Sequence, residues 1–383
     1  MAAVLITGTS KGIGFQRTIA GFVALSALAF VMAAYAKPSK DLKIVTVDVE
    51  GGAAVLFLTP EGKSLLIDTG WAPGVGGPRP VPGAPPPPPL PSSAESIATA
   101  AASLGVTKID YLMMTHYHAD HAGGLESLLA KLPVGVFIDH GPNREQPPPN
   151  ATPRQLAFAT STLYSKWAAA YQGHEHITAQ AGQKLDIGSM HLEFVTSDGN
   201  VPDAPLPGAG QPNPLCANVP KMDRDGGEEN VRSVGVLITF GETRILYLGD
   251  LTWNKELELL CPVNKVGKVD VYFVTGHGMN LSSSPPTGAF DPLVAVMQNG
   301  PTKGGDEAVI KTVNTYPDLK GFWRVHYTVR YPDLNGDPGY IANLNGVPDQ
   351  SYPIDLDITR SGRIIVTNGR NHFSKTYKAR AAR

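Results

Sequence analysis

The sequence predicts an α/β fold, organised as one large sandwich domain. Its 383 residues, of which 42% are hydrophobic, are enough to bury a full core. Short apolar runs typical of buried strands alternate with helix-like segments, most clearly where the run 109–114 is followed by a helix start at 123–129. A polar, histidine-rich loop lies between these two segments. Loops between rigid elements commonly carry catalytic groups, so this loop is the strongest candidate for a functional site.

The loop concentrates metal-ligand side chains at His116, His118, Asp120 and His121. In a short extended stretch, residues two apart project to the same side, so His116 and His118 can share one metal ion. Asp120 and His121 follow where the chain turns and can address a second ion. Imidazole and carboxylate ligands suit zinc, and they also accept manganese or iron. The alternative is a polar loop whose histidines bind nothing or one adventitious ion.

This HxHxDH cluster resembles the signature of the metallo-β-lactamase superfamily. Further segments resemble other motifs of that superfamily in the same order, and they are 47–56, 65–70, 244–250 and 269–278. The resemblance covers roughly residues 43 to 280. It implies a four-layer αββα sandwich of the metallo-β-lactamase type.

The resemblance also implies a site with two divalent metal ions, zinc favoured. The implied ligands are His116, His118, Asp120, His121, Asp250 and His277. Asp250 would bridge the two ions, and Asp68 would support a ligand from behind, since such partners orient metal-bound imidazoles. The residues implied as catalytic are His116, His118 and Asp120.

One position departs from the superfamily pattern. Most members place a third histidine for the first metal after a later strand, whereas here the corresponding strand runs into the segment 197–200, which has no histidine. His140 or Asp198 could replace it, and His140 could equally be a strand-end histidine bonded to nearby backbone. A first metal held weakly in this way could be manganese or calcium instead of zinc.

The implied activity is hydrolysis by a metal-bound hydroxide. The opening strands and the segment 230–235 are most similar to the branch that includes the hydrolase domain of competence (DNA-uptake) proteins, which has stand-alone exported members. Small lactones or carboxylic esters, including acyl-homoserine lactones, are the favoured substrates. A phosphodiesterase or nuclease and a β-lactam hydrolase are the alternatives. Tyr117, Asn280 and Ser282 are candidate substrate contacts.

The charge balance favours a small-molecule substrate over nucleic acid. The formal net charge is −2 and the isoelectric point is about 6.6. Binding to phosphate backbones normally needs a basic surface, so nucleic acid is an unexpected partner. The sequence does not indicate an oligomeric state.

The first 36 residues predict export. The segment 19–33 is almost continuously apolar, follows Lys11 and Arg17, and ends in small residues that predict cleavage after Ala36. Residues 1–36 are therefore predicted to be a signal peptide with a non-native or unstructured extension, and 37–383 the hydrolase domain. An uncleaved membrane anchor is the alternative. Once cleaved, the protein is expected in the periplasm or outside the cell, with no stable membrane association.

Several smaller features complete the prediction. The stretch 4–14 resembles the glycine-rich opening of short-chain dehydrogenases but lacks the rest of that fold. Export makes a disulfide between Cys216 and Cys261 the expected state of the two cysteines. The segment 73–93 is predicted to be an exposed proline-rich insertion. The tail 354–377 predicts a strand hairpin that turns near Ser361 and either finishes the second sheet or docks on it.

Overall fold

The computed structural model describes residues 40–76, 90–345 and 351–381. These residues belong to one compact unit, Pro38–Arg383. The predicted signal peptide at 1–36, the dehydrogenase-like stretch at 4–14 and most of the predicted proline-rich insertion lie outside the described residues.

The described chain forms strands of three to seven residues. In chain order they are β1 (Leu42–Thr46), β2 (Val55–Leu58), β3 (Ser64–Ile67), β4 (Ile109–Met113), β5 (Val134–Asp139), β6 (Glu175–Thr178), β7 (Lys184–Ile187), β8 (Met190–Thr196), β9 (Gly235–Phe240), β10 (Thr243–Tyr247), β11 (Val271–Phe273), β12 (Val294–Met297), β13 (Gly321–His326), β14 (Ile341–Asn343), β15 (Ile354–Ile358), β16 (Arg363–Asn368) and β17 (Ser374–Lys378).

The helices lie between these strands. The α-helices are α1 (Ser93–Ser103), α2 (Ala119–Ala122), α3 (Leu125–Leu129), α4 (Pro153–Ala157), α5 (Thr160–Ala170), α6 (Gly227–Asn230), α7 (Trp253–Leu260) and α8 (Glu307–Asn314). Short 3₁₀ helices cover Pro214–Cys216, Thr275–Gly278, Pro285–Phe290, Pro332–Leu334 and Pro338–Tyr340.

The described strands form two sheets. One has nine strands in the order β17-β16-β15-β1-β2-β3-β4-β5-β6, and the other has eight in the order β14-β13-β12-β11-β10-β9-β8-β7. In each sheet a parallel run, β3 to β6 or β10 to β14, joins an antiparallel part. Parallel strands need crossover connections, and these connections supply helices for the outer faces.

The core is divided among three layers of side chains. Alternate residues of the strands point to opposite faces, so Ile44 packs between the sheets while Val45 packs under the outer helices. Helices α1, α3 and α5 cover the first sheet, with Ile97, Leu128 and Trp167 buried. Helices α7 and α8 cover the second sheet. The fold is therefore the predicted four-layer αββα sandwich.

Helix α1 begins at Ser93, the last residue of the predicted proline-rich insertion. The Ser92 hydroxyl accepts the backbone N–H of Glu95 at 3.4 Å, and the Glu95 carboxylate accepts the backbone N–H of Ser92 at 2.8 Å. Such a reciprocal cap contributes about 1 kcal/mol to a helix start. This cap places the start of the helix within one residue of the predicted end of the insertion.

The tail forms the predicted hairpin but joins the other sheet. Strands β15 and β16 are antiparallel, and Gly362 lies in the turn between them. Strand β15 pairs with β1 in the nine-stranded sheet, so the prediction that the hairpin finishes the second sheet was wrong. The tail does dock on the second sheet, since Trp323 of β13 donates to the Tyr377 hydroxyl of β17 at 3.1 Å. Because β1 is an antiparallel strand near the start of the domain, its free edge accepts a strand from anywhere in the chain, which periodicity does not reveal.

The segment 47–56, which resembles part of the opening strands, contains a loop between two strands. Strand β1 ends at Thr46 and β2 begins at Val55, so the residues between them form a loop at the end of the sheet. Gly51 in this loop has a φ of 74°, and a Cβ there would lie 2.8 Å from the backbone nitrogen of Gly300. The two loops thus approach more closely than a side chain allows.

Cys216 and Cys261 form a disulfide with a Cα–Cα distance of 5.8 Å, as predicted. This bond is compatible with an exported protein. Among the described residues, we find no helix whose length and apolar character would let it cross a membrane.

Candidate metal centre

The predicted ligands meet where the carboxyl ends of parallel strands from both sheets come together. Asp68 follows β3, the segment 116–121 follows β4, Asp250 follows β10, and His277 follows β11. Strands β3 and β4 are parallel, as are β10 and β11, so their carboxyl ends share an edge. A site at this edge draws on rigid strands and on loops that can vary.

Four of these side chains form a buried cluster, called here the inner group: Asp120, His121, Asp250 and His277. Each offers one ligand atom, and these four atoms all lie within 4.8 Å of one another. The Nε2 atoms of His121 and His277 are 3.1 Å apart. Each Nε2 also lies 3.2 to 3.4 Å from oxygens of Asp120 and Asp250.

A strained backbone places one of these ligands. His277 has a φ of 56°, a conformation that costs a non-glycine residue about 1 to 3 kcal/mol. The surrounding chain holds it there, since the backbone N–H of Gly305 donates to the His277 carbonyl at 3.0 Å. The outlier lies at the point where the side chain must turn into the cluster, which is typical of functional sites.

The second ring nitrogen of each inner-group histidine has its own partner. His121 Nδ1 lies 2.8 Å from Asp68 Oδ2, and His277 Nδ1 lies 3.0 Å from the carbonyl oxygen of Gln298. The Gln298 carbonyl can only accept, so His277 Nδ1 donates. Partners of this kind orient metal-binding imidazoles and leave Nε2 available as a ligand. Asp68 therefore lies where the sequence analysis expected it, behind His121.

The electrostatics of the inner group are those of a cation site. Burial acts to raise the pKa of Asp250, yet His277 and His121 hold that pKa well below its usual range. Burial acts to lower the pKa of His121, but the carboxylates of Asp250 and Asp120 raise that pKa well above its usual value. The buried carboxylates thus require positive charge beside them, and a metal ion can supply it in place of protons.

His116 and His118, called here the histidine pair, lie beside the inner group. His116 Nε2 and His118 Nδ1 are 3.0 Å apart. The outer nitrogens again have partners, since Thr115 Oγ1 is 3.1 Å from His116 Nδ1 and Glu145 Oε2 is 3.7 Å from His118 Nε2. Burial and the neighbouring His121 and His118 lower the pKa of His116 well below 6.5, which keeps this imidazole in the neutral form that binds metals.

The histidine pair has no third ligand of the usual kind. In the described parts of the chain, no third His, Cys, Asp or Glu joins it within the 4.8 Å spacing that the inner group satisfies. His140 Nε2 lies 3.2 Å from the buried Glu229 carboxylate. Asp198 forms ion pairs with Arg144 at 2.8 Å and with Arg232. Asp198 and the Nε2 of His140 are therefore committed to other partners, while the buried Nδ1 of His140 has no hydrogen-bond partner among the described residues.

The structure adds a cation that sequence reasoning missed. The Lys303 ammonium contacts the Asp120 carboxylate and donates to the Gly51 carbonyl at 2.8 Å. It also lies 5.2 Å from the centre of the Trp71 ring. A lysine in a glycine-rich segment carried no motif signal, because its contact with Asp120 spans 183 positions of chain.

A second group of ligand-type side chains was also missed: Asp48, Glu50 and His326. His326 Nε2 lies 2.8 Å from Asp48 Oδ1 and 3.8 Å from Glu50 Oε1. The other Asp48 oxygen accepts from the Asn343 amide at 3.0 Å. These contacts explain the group as a buried polar network that fixes the loop after β1 against the ends of β13 and β14.

A cavity of about 960 Å³ opens beside the inner group. Its lining includes Trp71, Asn280, Lys303 and Arg330. Residues 74–76, which lie in the predicted proline-rich insertion, also line it. Of the three predicted substrate contacts, only Asn280 borders this cavity. Tyr117 is fully buried, with its hydroxyl donating to the Gly141 carbonyl at 2.7 Å, and Ser282 is also buried.

These residues fit a divalent metal ion. The inner group supplies two imidazoles and two carboxylates from three different segments, all buried and close together. That donor set suits zinc, manganese or iron. The fold and the site together define an αββα sandwich protein with a buried candidate metal centre at its strand ends.

Comparison with known proteins gives a match to a family model over part of the chain. Residues 48–161 match the family model of the metallo-beta-lactamase superfamily. This segment contains Asp68 and the whole 116–121 cluster. A search of curated proteins gives no match.

Solved structures of the same fold are similar only at a distance. The metallo-beta-lactamase fold protein YhfI from Bacillus subtilis has a TM-score of 0.40 and 14% identity, covering 74% of this chain and 96% of its own. Tm1679, a metal-dependent hydrolase of the beta-lactamase superfamily, has a TM-score of 0.41 and 14% identity, covering 74% and 95%. CmlA, a diiron beta-hydroxylase from Streptomyces venezuelae, has a TM-score of 0.39 and 15% identity, covering 89% and 54%. At this similarity they carry no argument about chemistry.

Proposed function

We propose that this protein is a metal-dependent hydrolase of small lactones or carboxylic esters. The observation that carries the proposal is the inner group, in which four ligand atoms lie within 4.8 Å of one another in a buried position. A divalent ion bound there would activate water near neutral pH and polarise the attacked carbonyl. Asp120, His121, Asp250 and His277 would hold it.

The protein side chains have separate tasks in this reaction. Asp68 holds the ring of His121, and the Gln298 carbonyl holds that of His277, so that both Nε2 atoms face the same point. Asp120 contacts Lys303, and Lys303 lines the cavity. A carboxylate in that place can orient the attacking water or pass a proton to the leaving group.

The size and chemistry of the cavity support a small substrate. A volume of about 960 Å³ lies in the range of small-molecule sites. The net charge of −2 gives the chain no overall attraction for nucleic acid. We therefore place small lactones and carboxylic esters ahead of nucleic-acid phosphodiesters, and a β-lactam stays an alternative for the substrate panel.

Metal analysis combined with a substrate panel tests the proposal. The panel holds an acyl-homoserine lactone, an aryl ester, a β-lactam and a bis-aryl phosphate, each measured before and after chelation and after metal is restored. We expect chelator-sensitive opening of the lactone or ester. Cleavage of the bis-aryl phosphate alone would contradict the proposal and indicate a phosphodiesterase. A metal-free protein that turns over nothing would refute hydrolysis.

A further inference from the structure

The cavity beside the inner group has a cationic wall. Lys303 lies on the β12–α8 loop, and Arg330 reaches the same loop from beyond β13 by donating to the Gly304 carbonyl at 2.8 Å. Arg154, at the start of α4, also lines the cavity. The carboxylates in the lining are Glu50 and Asp306. Cations therefore outnumber carboxylates in the lining.

The carboxylates are largely committed to other contacts. Asp306 pairs with Arg330 and accepts the backbone N–H of Asn280 at 3.0 Å. Glu50 faces His326, at 3.8 Å. Arg154, in contrast, makes no ion pair with any other described residue, and its side chain is exposed. Arg154 is thus fully available to a ligand, whereas Lys303 and Arg330 share their charge with Asp120 and Asp306.

Lys303 is the cation nearest the candidate metal centre. The Asp120 oxygen that it contacts also lies 3.2 Å from His277 Nε2 and 3.4 Å from His121 Nε2. A metal ion held by the inner group draws on the same carboxylate, so the charge of Lys303 is then less fully compensated. The ammonium stays in place because it also donates to the Gly51 carbonyl and lies over the Trp71 ring.

The stems of these cations are fixed by the chain. A Cβ on Gly304 would lie 2.1 Å from the His277 carbonyl oxygen, so the β12–α8 loop packs directly on the ligand loop. Lys303 is 27% exposed and Arg330 is 41% exposed. Both side chains are partly buried by the loops around them and partly exposed to the cavity. A cation fixed in this way can recognise an anion.

We propose that Lys303, supported by Arg330, binds an anionic group on the substrate, so that the preferred substrate carries a carboxylate or phosphate besides the bond that is hydrolysed. This assignment rests on the proposed hydrolase function and adds the charge of its substrate. An anion bound to Lys303 would place the rest of the molecule over Asp120 and the inner group. The role of Lys303 is positioning and specificity, not proton transfer.

A matched pair of esters tests the proposal on the metal-loaded protein. The neutral member is 4-nitrophenyl acetate, and the anionic member is the mono-4-nitrophenyl ester of glutaric acid. Losing a charge-assisted hydrogen bond typically costs tenfold to a hundredfold, so we expect Lys303→Met to lower the anionic-to-neutral ratio of kcat/KM by about that factor. Arg330→Met should lower it less, since Arg330 also serves Asp306. Lys311→Met, on the exposed face of α8, is the control that leaves both esters unchanged.

Calorimetric binding of glutarate gives a readout that does not depend on turnover. We expect its affinity to fall in Lys303→Met and Arg330→Met by factors similar to those in the ratio. Metal content is measured for each variant, and Arg330→Met carries the comparison if Lys303→Met changes that content. An unchanged ratio and unchanged glutarate affinity in both variants would overturn the proposal even if both esters are hydrolysed. Weaker glutarate binding in a protein that hydrolyses neither ester would keep the anion site and reject the ester hydrolase.

Discussion

The loop 116–121 contributes to both the inner group and the histidine pair, but the chain supports them to different degrees. The inner group draws on three segments and brings four ligands together, with both imidazole rings held from behind. The histidine pair has two ligands, and its rear contact to Glu145 is longer, at 3.7 Å. A complete sequence motif can therefore contribute to one candidate metal position with four donors and to another with only two.

The comparison predicts unequal metal sites. A position with four buried donors should bind a divalent ion more tightly than one with two histidines, because each missing donor must be replaced by water or substrate. The open position is then available for a small ligand, as catalytic metal sites require. Variants of the inner group and of the histidine pair separate the contributions of the two positions to metal binding.

The largest effect is expected for Asp250→Ala. This variant removes a carboxylate from the inner group and leaves two buried imidazoles without it, so we expect loss of the tightly bound metal and about a thousandfold fall in kcat/KM, or about 4 kcal/mol. His118→Ala should leave the tight metal in place and remove only a weaker one. Metal titration followed by spectroscopy checks both. Equal loss of metal in the two variants would contradict the predicted difference in affinity between the inner group and the histidine pair.

A smaller effect is expected from the residues behind the ligands. Asp68→Asn should weaken metal binding by about tenfold to a hundredfold, because the His121 ring loses the charge that orients it. Glu145→Gln, the matched change behind His118, should have less effect, since its contact is longer and Glu145 is more exposed than Asp68. Competition with a chelator of known affinity gives the two values. A larger effect for Glu145→Gln would contradict the prediction that the inner group is supported better than the histidine pair.

The smallest expected effect is on stability and concerns Glu256, a buried residue of helix α7. Burial raises the pKa of Glu256 to about 7 from an ordinary 4.5, against the backbone N–H groups of Ser284 and Ser283, which act to lower it. Because the folded state binds this proton more tightly than the unfolded chain, the stabilisation is present below about pH 4.5 and is lost as pH rises through about 7. We expect the unfolding free energy to fall by on the order of 2 kcal/mol over that range.

Glu256→Gln isolates this contribution. The amide does not titrate, so the decline with pH should be shallower in the variant than in the wild type. Denaturant unfolding at pH 5 and pH 8, with the same metal content in both proteins, measures the difference. Parallel pH profiles for the two proteins would show that Glu256 does not carry the effect.

Local patterns predicted a large part of the molecule. The strand–loop–helix arrangement around residues 109–129 and the pairing of the two cysteines are both found as expected. The resemblance of four segments to one superfamily implied the αββα layers, and the layers are present. The start of α1 at Ser93 and the break between β1 and β2 in the segment 47–56 depend instead on a cap and on a close contact of two loops.

Contacts between distant segments were beyond the reach of the sequence. Nothing in the segment around Lys303 indicates that its ammonium meets Asp120, and nothing at residue 229 indicates that its carboxylate occupies His140. The hairpin of the tail was likewise predicted, but the sheet that it joins was not. Each of these results depends on which loops the sandwich brings to the same edge.

The sequence by itself determined the kind of chemistry, because ligand types and their spacing along six residues restrict what the loop at 116–121 can bind. Only the tertiary structure decided which ligands form a complete group, which remain a pair, and which cations face the cavity. The physical reason is that metal binding and anion recognition depend on distances of a few ångströms between side chains. Those distances are set by the packing of two sheets, not by the order of residues within any one segment.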